Sequence, residues 1–120
     1  MAYEINLPSH ANDSGKLTVI EKVLPFNIRR VYYIYDVKGS RGGHRHKKTI
    51  QALVCVCGSC EIYSNNGKEE FIYKLDRPDK CLIVEPPDWH TMFNFSRDAL
   101  LLVCASEEYD VNDYIDEAYR

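Results

Sequence analysis

The feature that most constrains the fold is a close succession of short β-forming runs, each ended by turn residues. Residues 28–35, 51–57 and 100–105 are dense in β-branched, aromatic and aliphatic side chains. The Asn-Asn-Gly sequence at 65–67 is typical of a hairpin turn, since Asn and Gly tolerate the positive φ that such turns need. The predicted strands cover residues 17–20, 28–35, 51–57, 60–63, 71–75, 81–84, 89–95 and 100–105. Many short strands with turns between them predict an all-β sandwich or barrel.

Only the C-terminus has a helical pattern. The Asp-Val-Asn-Asp sequence at 110–113 resembles a helix cap followed by an acidic first turn. Tyr114, Ile115 and Ala118 supply an apolar stripe at helical spacing. The sequence therefore predicts one domain over residues 1–120, an all-β body with a short C-terminal helix.

The composition narrows the class of protein. A net charge of −3 argues against nucleic-acid binding, which needs a clear basic excess. No apolar run approaches the roughly 20 residues of a membrane span, and the first residues lack the pattern of a signal peptide. The five cysteines are an odd number within apolar runs, which indicates reduced thiols. The expected location is the cytoplasm, with no membrane partner.

Residues 38–51, KGSRGGHRHKKTIQ, hold the densest cluster of chemically active side chains. His44 and His46 are two apart, so on a strand both imidazoles point to the same face. Gly42 and Gly43 allow the chain to bend sharply or to approach a ligand closely. Two imidazoles on one face suit either metal binding or acid–base catalysis.

The spacing of these residues resembles the two motifs of the cupin superfamily. The first motif matches at Gly39, His44, His46, Gln51 and Gly58. The second is echoed by His90 and Asn94. Gln51 stands where metal-binding cupins have a glutamate, and a neutral amide is a weaker ligand for a hard cation. Proton transfer is the favoured interpretation; a metal-dependent cupin with His44, His46 and His90 as ligands is the alternative.

A closer resemblance, running from about residue 15 to residue 119, is to the sugar-nucleotide 3,4-ketoisomerase family (FdtA/QdtA-type, WxcM-like). It rests on five ordered segments: LPFNIRRVYYI at 24–34, RGGHRHKK at 41–48, QALV at 51–54, WHTM at 89–92 and YDVNDYI at 109–115. The resemblance implies a cupin-type jelly roll that needs neither metal nor cofactor. It also implies a homodimer with exchanged N-terminal strands and a dTDP-4-keto-6-deoxyglucose substrate.

The resemblance assigns the catalytic roles to His44 and His46. Moving the ketone from carbon 4 to carbon 3 requires removal of the carbon 3 proton and reprotonation of the enediol at carbon 4, which positioned imidazoles can perform. The candidate substrate-binding residues are Arg41, Arg30, Tyr33, Tyr35, Lys47, Gln51, Trp89 and His90. A guanidinium group suits pyrophosphate or a developing enediolate. A non-catalytic module that binds a sugar nucleotide is a second alternative.

Overall fold

The computed structural model describes residues 1–120, and nearly all of its regular structure is β-strand. A single 3-10 turn, η1 (Val111–Asp113), lies between the last two strands. The strands are β1 (Tyr3–Asn6), β2 (Ser9–Asn12), β3 (Gly15–Thr18), β4 (Arg30–Tyr35), β5 (Arg41–His46), β6 (Gln51–Cys57), β7 (Cys60–Asn65), β8 (Glu70–Leu75), β9 (Lys80–Val84), β10 (Trp89–Phe93), β11 (Leu100–Ala105) and β12 (Tyr114–Ile115).

The strands form two five-stranded sheets and one separate hairpin. The first sheet has the order β1-β9-β6-β11-β4, and the second has the order β12-β5-β10-β7-β8. Every pairing is antiparallel, and most neighbours in a sheet are distant in the chain. This is the jelly-roll arrangement, so the predicted all-β cupin-type fold is confirmed.

The core lies between the inner faces of the two sheets. Leu53, Leu82 and Leu101 from the first sheet meet Ile62 and Leu75 from the second, and all five are 0% exposed. Complete burial of such a side chain contributes roughly 1.5–3 kcal/mol. The inner core therefore holds the two sheets face to face.

A second apolar layer covers the outer face of the first sheet. The chain between β3 and β4 crosses this face, where Leu24 and Phe26 pack against a cluster that contains Val54 and Ile83. Strands β6 and β9 are therefore buried on both faces, which explains their nearly uninterrupted apolar sequences.

The hairpin of β2 and β3 pairs only with itself. The whole molecule is elongated, with a long dimension of 50 Å against 30 and 25 Å in the other directions. Strand β1, by contrast, pairs with β9 at the edge of the first sheet. Strands β1, β2 and β5 are not among the strands predicted from the sequence.

The predicted C-terminal helix is present only as the 3-10 turn. Its predicted cap is observed, because the side chain of Asp110 accepts a hydrogen bond from the backbone N–H of Asn112 at 3.0 Å. Tyr114 and Ile115 do not continue the helix, because their backbone pairs with β5. No helix in the structure has the length and apolar character needed to cross a membrane.

Candidate active site

One end of the jelly roll opens into a cavity of about 430 Å³ between the two sheets. Its walls come from β4 in the first sheet and from β5, β10 and β12 in the second. The lining residues are Arg30, Tyr32, Tyr33, Ile34, Tyr35, Arg41, Gly42, His44, Met92 and Tyr114. This volume is in the range of pockets that bind small molecules.

A β-bulge in β5 places two of these residues on one face. His44 lies opposite His90 on β10, but Gly42 lies opposite Thr91, so the register shifts by one residue. Arg41 and His44 are three residues apart and would face opposite sides of a regular strand. The extra residue in the bulge shifts the alternation by one position, so that Arg41 and His44 face the same side.

Gly42 takes a positive φ of 88° in the bulge. A Cβ atom there would lie 3.0 Å from the carbonyl oxygen of His90. The close approach of β5 to β10 therefore depends on glycine at this position.

Three imidazoles meet at the inner end of the cavity. The ring centroids of His44 and His46 are 5.0 Å apart, and those of His44 and His90 are 5.1 Å apart. His44 lines the cavity, whereas His46 is 3% exposed and His90 is 0% exposed. His44 is therefore the member of the group that a ligand in the cavity can contact.

A single hydrogen bond fixes the tautomer of His90. Its Nδ1 lies 3.0 Å from the backbone oxygen of Asp88, which can only accept, so Nδ1 carries the proton. Its Nε2 is buried and has no hydrogen-bond partner. Burial, with a smaller contribution from the neighbouring histidines, lowers the pKa of His90 to about 3.

All three imidazoles are neutral at pH 7. Burial and the neighbouring His46 lower the pKa of His44 to about 4. Burial also lowers the pKa of His46, although a hydrogen bond and the negative charge of Asp113 act in the opposite direction. His44 therefore presents a neutral imidazole to the cavity, and its unprotonated ring nitrogen suits it to accept a proton.

The C-terminal segment packs against this histidine cluster. Strand β12 pairs with β5, and the Tyr114 ring lies 4.7 Å from the His44 ring and 4.6 Å from the His46 ring. Asp113, the last residue of the 3-10 turn, accepts a hydrogen bond at 3.0 Å from Nδ1 of His46. The end of the chain thus covers both catalytic candidates.

Tyr32 is a cavity residue that the sequence analysis missed. Its hydroxyl accepts a hydrogen bond at 3.0 Å from the side-chain amide of Gln51, and the Arg30 guanidinium lies 4.4 Å from its ring centroid. Burial raises the pKa of Tyr32, so its own phenolic proton is retained and free to be donated. Tyr32 could have been found from the alternation of side chains along β4, which puts Tyr32 and Ile34 on the half-buried face.

The structure brings some of the predicted substrate-binding residues to the cavity. Arg30, Tyr33, Tyr35 and Arg41 line it, and the rings of the two tyrosines are 5.9 Å apart. The two arginines are the charged groups of the lining, which contains no carboxylate. The cavity is therefore positively charged and suits an anionic ligand.

The other predicted binding residues lie outside the lining. His90 and Gln51 are buried behind it, where Gln51 supports Tyr32. Lys47 is exposed after the end of β5. Trp89 lies on the face of β10 opposite His90, and its indole N–H donates a hydrogen bond at 3.0 Å to the backbone oxygen of Asp116.

No group of three or more His, Cys, Asp or Glu side chains in the structure is arranged to hold a metal ion.

Comparisons with known proteins agree on one family. The sequence model of the family described as "FdtA: WxcM-like, C-terminal" matches residues 2–120. A curated TDP-4-oxo-6-deoxy-alpha-D-glucose-3,4-oxoisomerase from Aneurinibacillus thermoaerophilus is 45% identical over 115 residues, which cover 92% of this chain and 83% of that protein.

Solved structures give the same result. A 3,4-ketoisomerase from Helicobacter canadensis superposes with a TM-score of 0.92 at 40% identity, covering 97% of this chain and 90% of that one. The WlaRB TDP-quinovose 3,4-ketoisomerase from Campylobacter jejuni superposes with a TM-score of 0.92 at 41% identity, covering 97% and 92%.

The burial of His90 predicts how stability changes with pH. Between its ordinary pKa of 6.5 and its folded value of about 3, the unfolded chain binds a proton at this residue and the folded protein does not. The free energy of unfolding therefore decreases as pH falls through this window. For one such group the slope is about 1.4 kcal/mol per pH unit.

Urea unfolding over the acid range measures this slope. As pH falls, the free energy of unfolding of the wild-type protein should decrease by about 1.4 kcal/mol more per pH unit than that of His90→Gln, in which the titrating group is absent. Equal slopes in the two proteins would show that His90 is not held neutral by the fold.

Proposed function

Because this chain belongs to the FdtA, WxcM-like family, it is a sugar-nucleotide 3,4-ketoisomerase, and we propose that it converts dTDP-4-keto-6-deoxyglucose to the corresponding 3-keto sugar. The product would serve the synthesis of deoxyamino sugars of surface polysaccharides. The observation that carries the proposal is a neutral imidazole, that of His44, on the wall of a cavity whose charged groups are Arg30 and Arg41.

The reaction moves two protons and needs no external oxidant or reductant. The proton on carbon 3 is acidified by the adjacent carbon 4 ketone, and a base removes it to give an enediolate. The oxygen on carbon 3 then loses its proton, carbon 4 is reprotonated, and the oxygen on carbon 4 becomes a hydroxyl. General acid–base catalysis of this kind contributes typically 10²- to 10⁴-fold to a rate.

We assign the transfer at carbon to His44, because its neutral imidazole lines the cavity. We assign His46 the exchange of protons with His44, because its ring lies 5.0 Å from that of His44 and its Nε2 has no hydrogen-bond partner in the protein. Tyr32 is placed to donate its phenolic proton to an enediolate oxygen.

An imidazole with a pKa of about 4 is a weak base for a carbon acid. The enediolate must therefore be strongly stabilised for the reaction to proceed. A phenol in a partly buried cavity provides such stabilisation, because hydrogen bonds to a developing oxyanion are stronger where water is excluded. Tyr32 is the candidate for this role.

Arg30 and Arg41 supply the charge for a pyrophosphate, to which guanidinium groups bind in bidentate geometry. The neighbouring Tyr33 and Tyr35 are 59% exposed each and offer aromatic surface to a base or a sugar. A positively charged cavity with aromatic walls is consistent with a thymidine-linked sugar as ligand. We place the reaction in the cytoplasm, because all five cysteines are free thiols.

The first prediction of this proposal concerns turnover. Purified protein in deuterated water should convert dTDP-4-keto-6-deoxyglucose to a 3-keto product with deuterium at carbon 4, followed by proton NMR with and without a chelator. His44→Asn should lower kcat roughly 100-fold or more, because proton transfer at carbon is lost while the fold is kept.

Three results would contradict it. Absence of conversion and of exchange would indicate another substrate or a binding role. Loss of activity with chelator would favour a metal-dependent reaction, and a normal rate in His44→Asn would remove the base assignment. The same reaction in ordinary water keeps a proton on carbon 4, and its coupling to the carbon 5 proton gives the product configuration: gluco if the protons leave and return on opposite faces, galacto if they use one face.

The second prediction tests whether Arg41 contributes to ligand binding through its position in the cavity rather than through the net charge of the protein. Arg41→Ala should weaken the affinity for dTDP about tenfold or more, as expected on loss of a charged hydrogen bond. Arg97→Ala is the matched control, because Arg97 is exposed in the loop between β10 and β11 and does not line the cavity. Titration calorimetry measures both, and equal affinities would place Arg41 outside the binding site.

We also propose that the protein is a homodimer in which the N-terminal strands are exchanged. The hairpin of β2 and β3 pairs with no other strand of its own chain, and Leu17 on it is 58% exposed. Val31 and Tyr33 expose further apolar surface on the edge strand β4. A hairpin of two strands is marginally stable alone, so packing on a second copy would stabilise it.

Light scattering after size-exclusion chromatography tests the dimer. The wild-type protein should have the mass of two chains, and Leu17→Glu should shift it to the mass of one. Ile72→Glu is the control, because Ile72 is similarly exposed, at 52%, but lies on β8 at the far edge of the other sheet. A wild-type monomer, or a dimer unaffected by Leu17→Glu, would contradict the proposed exchange.

A further inference from the structure

The carboxylate of Asp113 is buried under the histidine cluster and is surrounded by donors. Its Oδ1 accepts hydrogen bonds from the backbone N–H groups of Lys47 at 3.2 Å and Lys48 at 2.8 Å. Its Oδ2 accepts from the Thr49 hydroxyl and lies 3.0 Å from Nδ1 of His46. The four groups occupy the acceptor positions of a carboxylate.

This environment keeps Asp113 ionised. Burial raises the pKa of its carboxyl, but the hydrogen bonds from Thr49, Lys48 and His46 outweigh burial, so the pKa lies below its ordinary value. An ionised carboxylate can only accept hydrogen bonds. The contact with His46 therefore requires the imidazole to carry its proton on Nδ1.

The second nitrogen of His46 is consequently an unprotonated acceptor. Its Nε2 is buried and has no hydrogen-bond partner in the protein. The ring is held from both sides, by Asp113 at Nδ1 and by Tyr114, whose ring centroid is 4.6 Å away. An imidazole in this state is prepared to take up a proton at Nε2.

We infer that Asp113 is a positioning residue of the isomerase: it holds His46 in the tautomer with a free Nε2 and stabilises the imidazolium that forms during turnover. The inference rests on the proposed function for its kinetic consequences but not for the tautomer itself. Arg30 and the neutral His44 and His90 face the same ring, and none of them supplies negative charge. The charge that balances a protonated His46 therefore comes from Asp113.

The effect of Asp113→Asn follows from the donors around it. The two backbone N–H groups are fixed donors, so the amide oxygen of the asparagine must face them. The amide nitrogen then faces His46 and donates to Nδ1, which moves the imidazole proton to Nε2. The variant thus keeps the shape of the side chain but favours the wrong tautomer.

Steady-state kinetics measure the consequence. Asp113→Asn should lower kcat roughly 100-fold while KM changes by less than about threefold, because the lost interaction acts in the transition state. Asp110→Asn is the matched control: Asp110 is a carboxylate of the same 3-10 turn that caps Asn112 and does not contact His46. It should retain the wild-type kcat.

A double-mutant cycle separates positioning from structural support. If Asp113 acts through His46, adding Asp113→Asn to His46→Asn should lower kcat no further. An additional loss of similar size in the double variant, or a normal kcat in Asp113→Asn, would overturn the inference.

Nitrogen-15 NMR of the wild-type histidine side chains tests the tautomer without turnover. The His46 signals, assigned by their loss in His46→Asn, should show a protonated Nδ1 and an unprotonated Nε2, and Asp113→Asn should reverse them. A wild-type His46 with its proton on Nε2 would overturn the inference even in an active enzyme. The expected tautomer in a protein that does not convert the substrate would instead contradict only the proposed function.

Discussion

The pairing of β5 with β10 on one side and with β12 on the other is the constraint on which the site depends. Strand β5 carries both candidate catalytic histidines. Its polar sequence with two glycines would not hold it in place without neighbouring strands. The register with β10 sets His44 opposite His90, and the register with β12 sets His46 opposite Tyr114. The imidazoles meet because two strands from distant parts of the chain hold β5 between them.

Burial of the histidine cluster has two opposite effects on the proposed proton transfer. It keeps His44 neutral and able to accept a proton at pH 7, but it also makes the imidazole a weak base. The structure compensates in two places. Asp113 offsets the burial of His46, and in the proposed reaction Tyr32 is the donor to the negative charge of the enediolate.

The parts of the fold predicted from the sequence are those whose local pattern and burial agree. Residues 51–57 and 100–105 were predicted with the bounds of β6 and β11, because these central strands are dominated by apolar residues. The polar β2 gave no such signal, since all its residues are exposed. The helical spacing of Tyr114 and Ile115 was misleading, because pairing with β5 takes up their backbone hydrogen bonds.

Within the candidate site, too, the sequence predicted the residues that a local pattern marks and not those that only the fold brings together. The His-x-His spacing predicted two imidazoles on one face, and the ring distance of 5.0 Å confirms that placement. Asp113 was not identified, because it is 67 residues from His46 in the chain and only the β5–β12 pairing brings them together. Arg41 was identified by its nearness in the sequence, yet its position in the cavity depends on the bulge, which no periodic pattern shows.

The outer surface of the second sheet completes this arrangement. Trp89 packs 3.9 Å from the position that a Gly43 Cβ atom would occupy, and its indole N–H binds the backbone of the C-terminal segment at Asp116. Tyr119 donates a hydrogen bond at 2.8 Å to the backbone oxygen of Pro87 and lies under the guanidinium of Arg45. These contacts hold the bulge and the C-terminal segment from the side away from the cavity. Residues that never face the cavity therefore keep the histidines in register, and the end of the chain is part of the site.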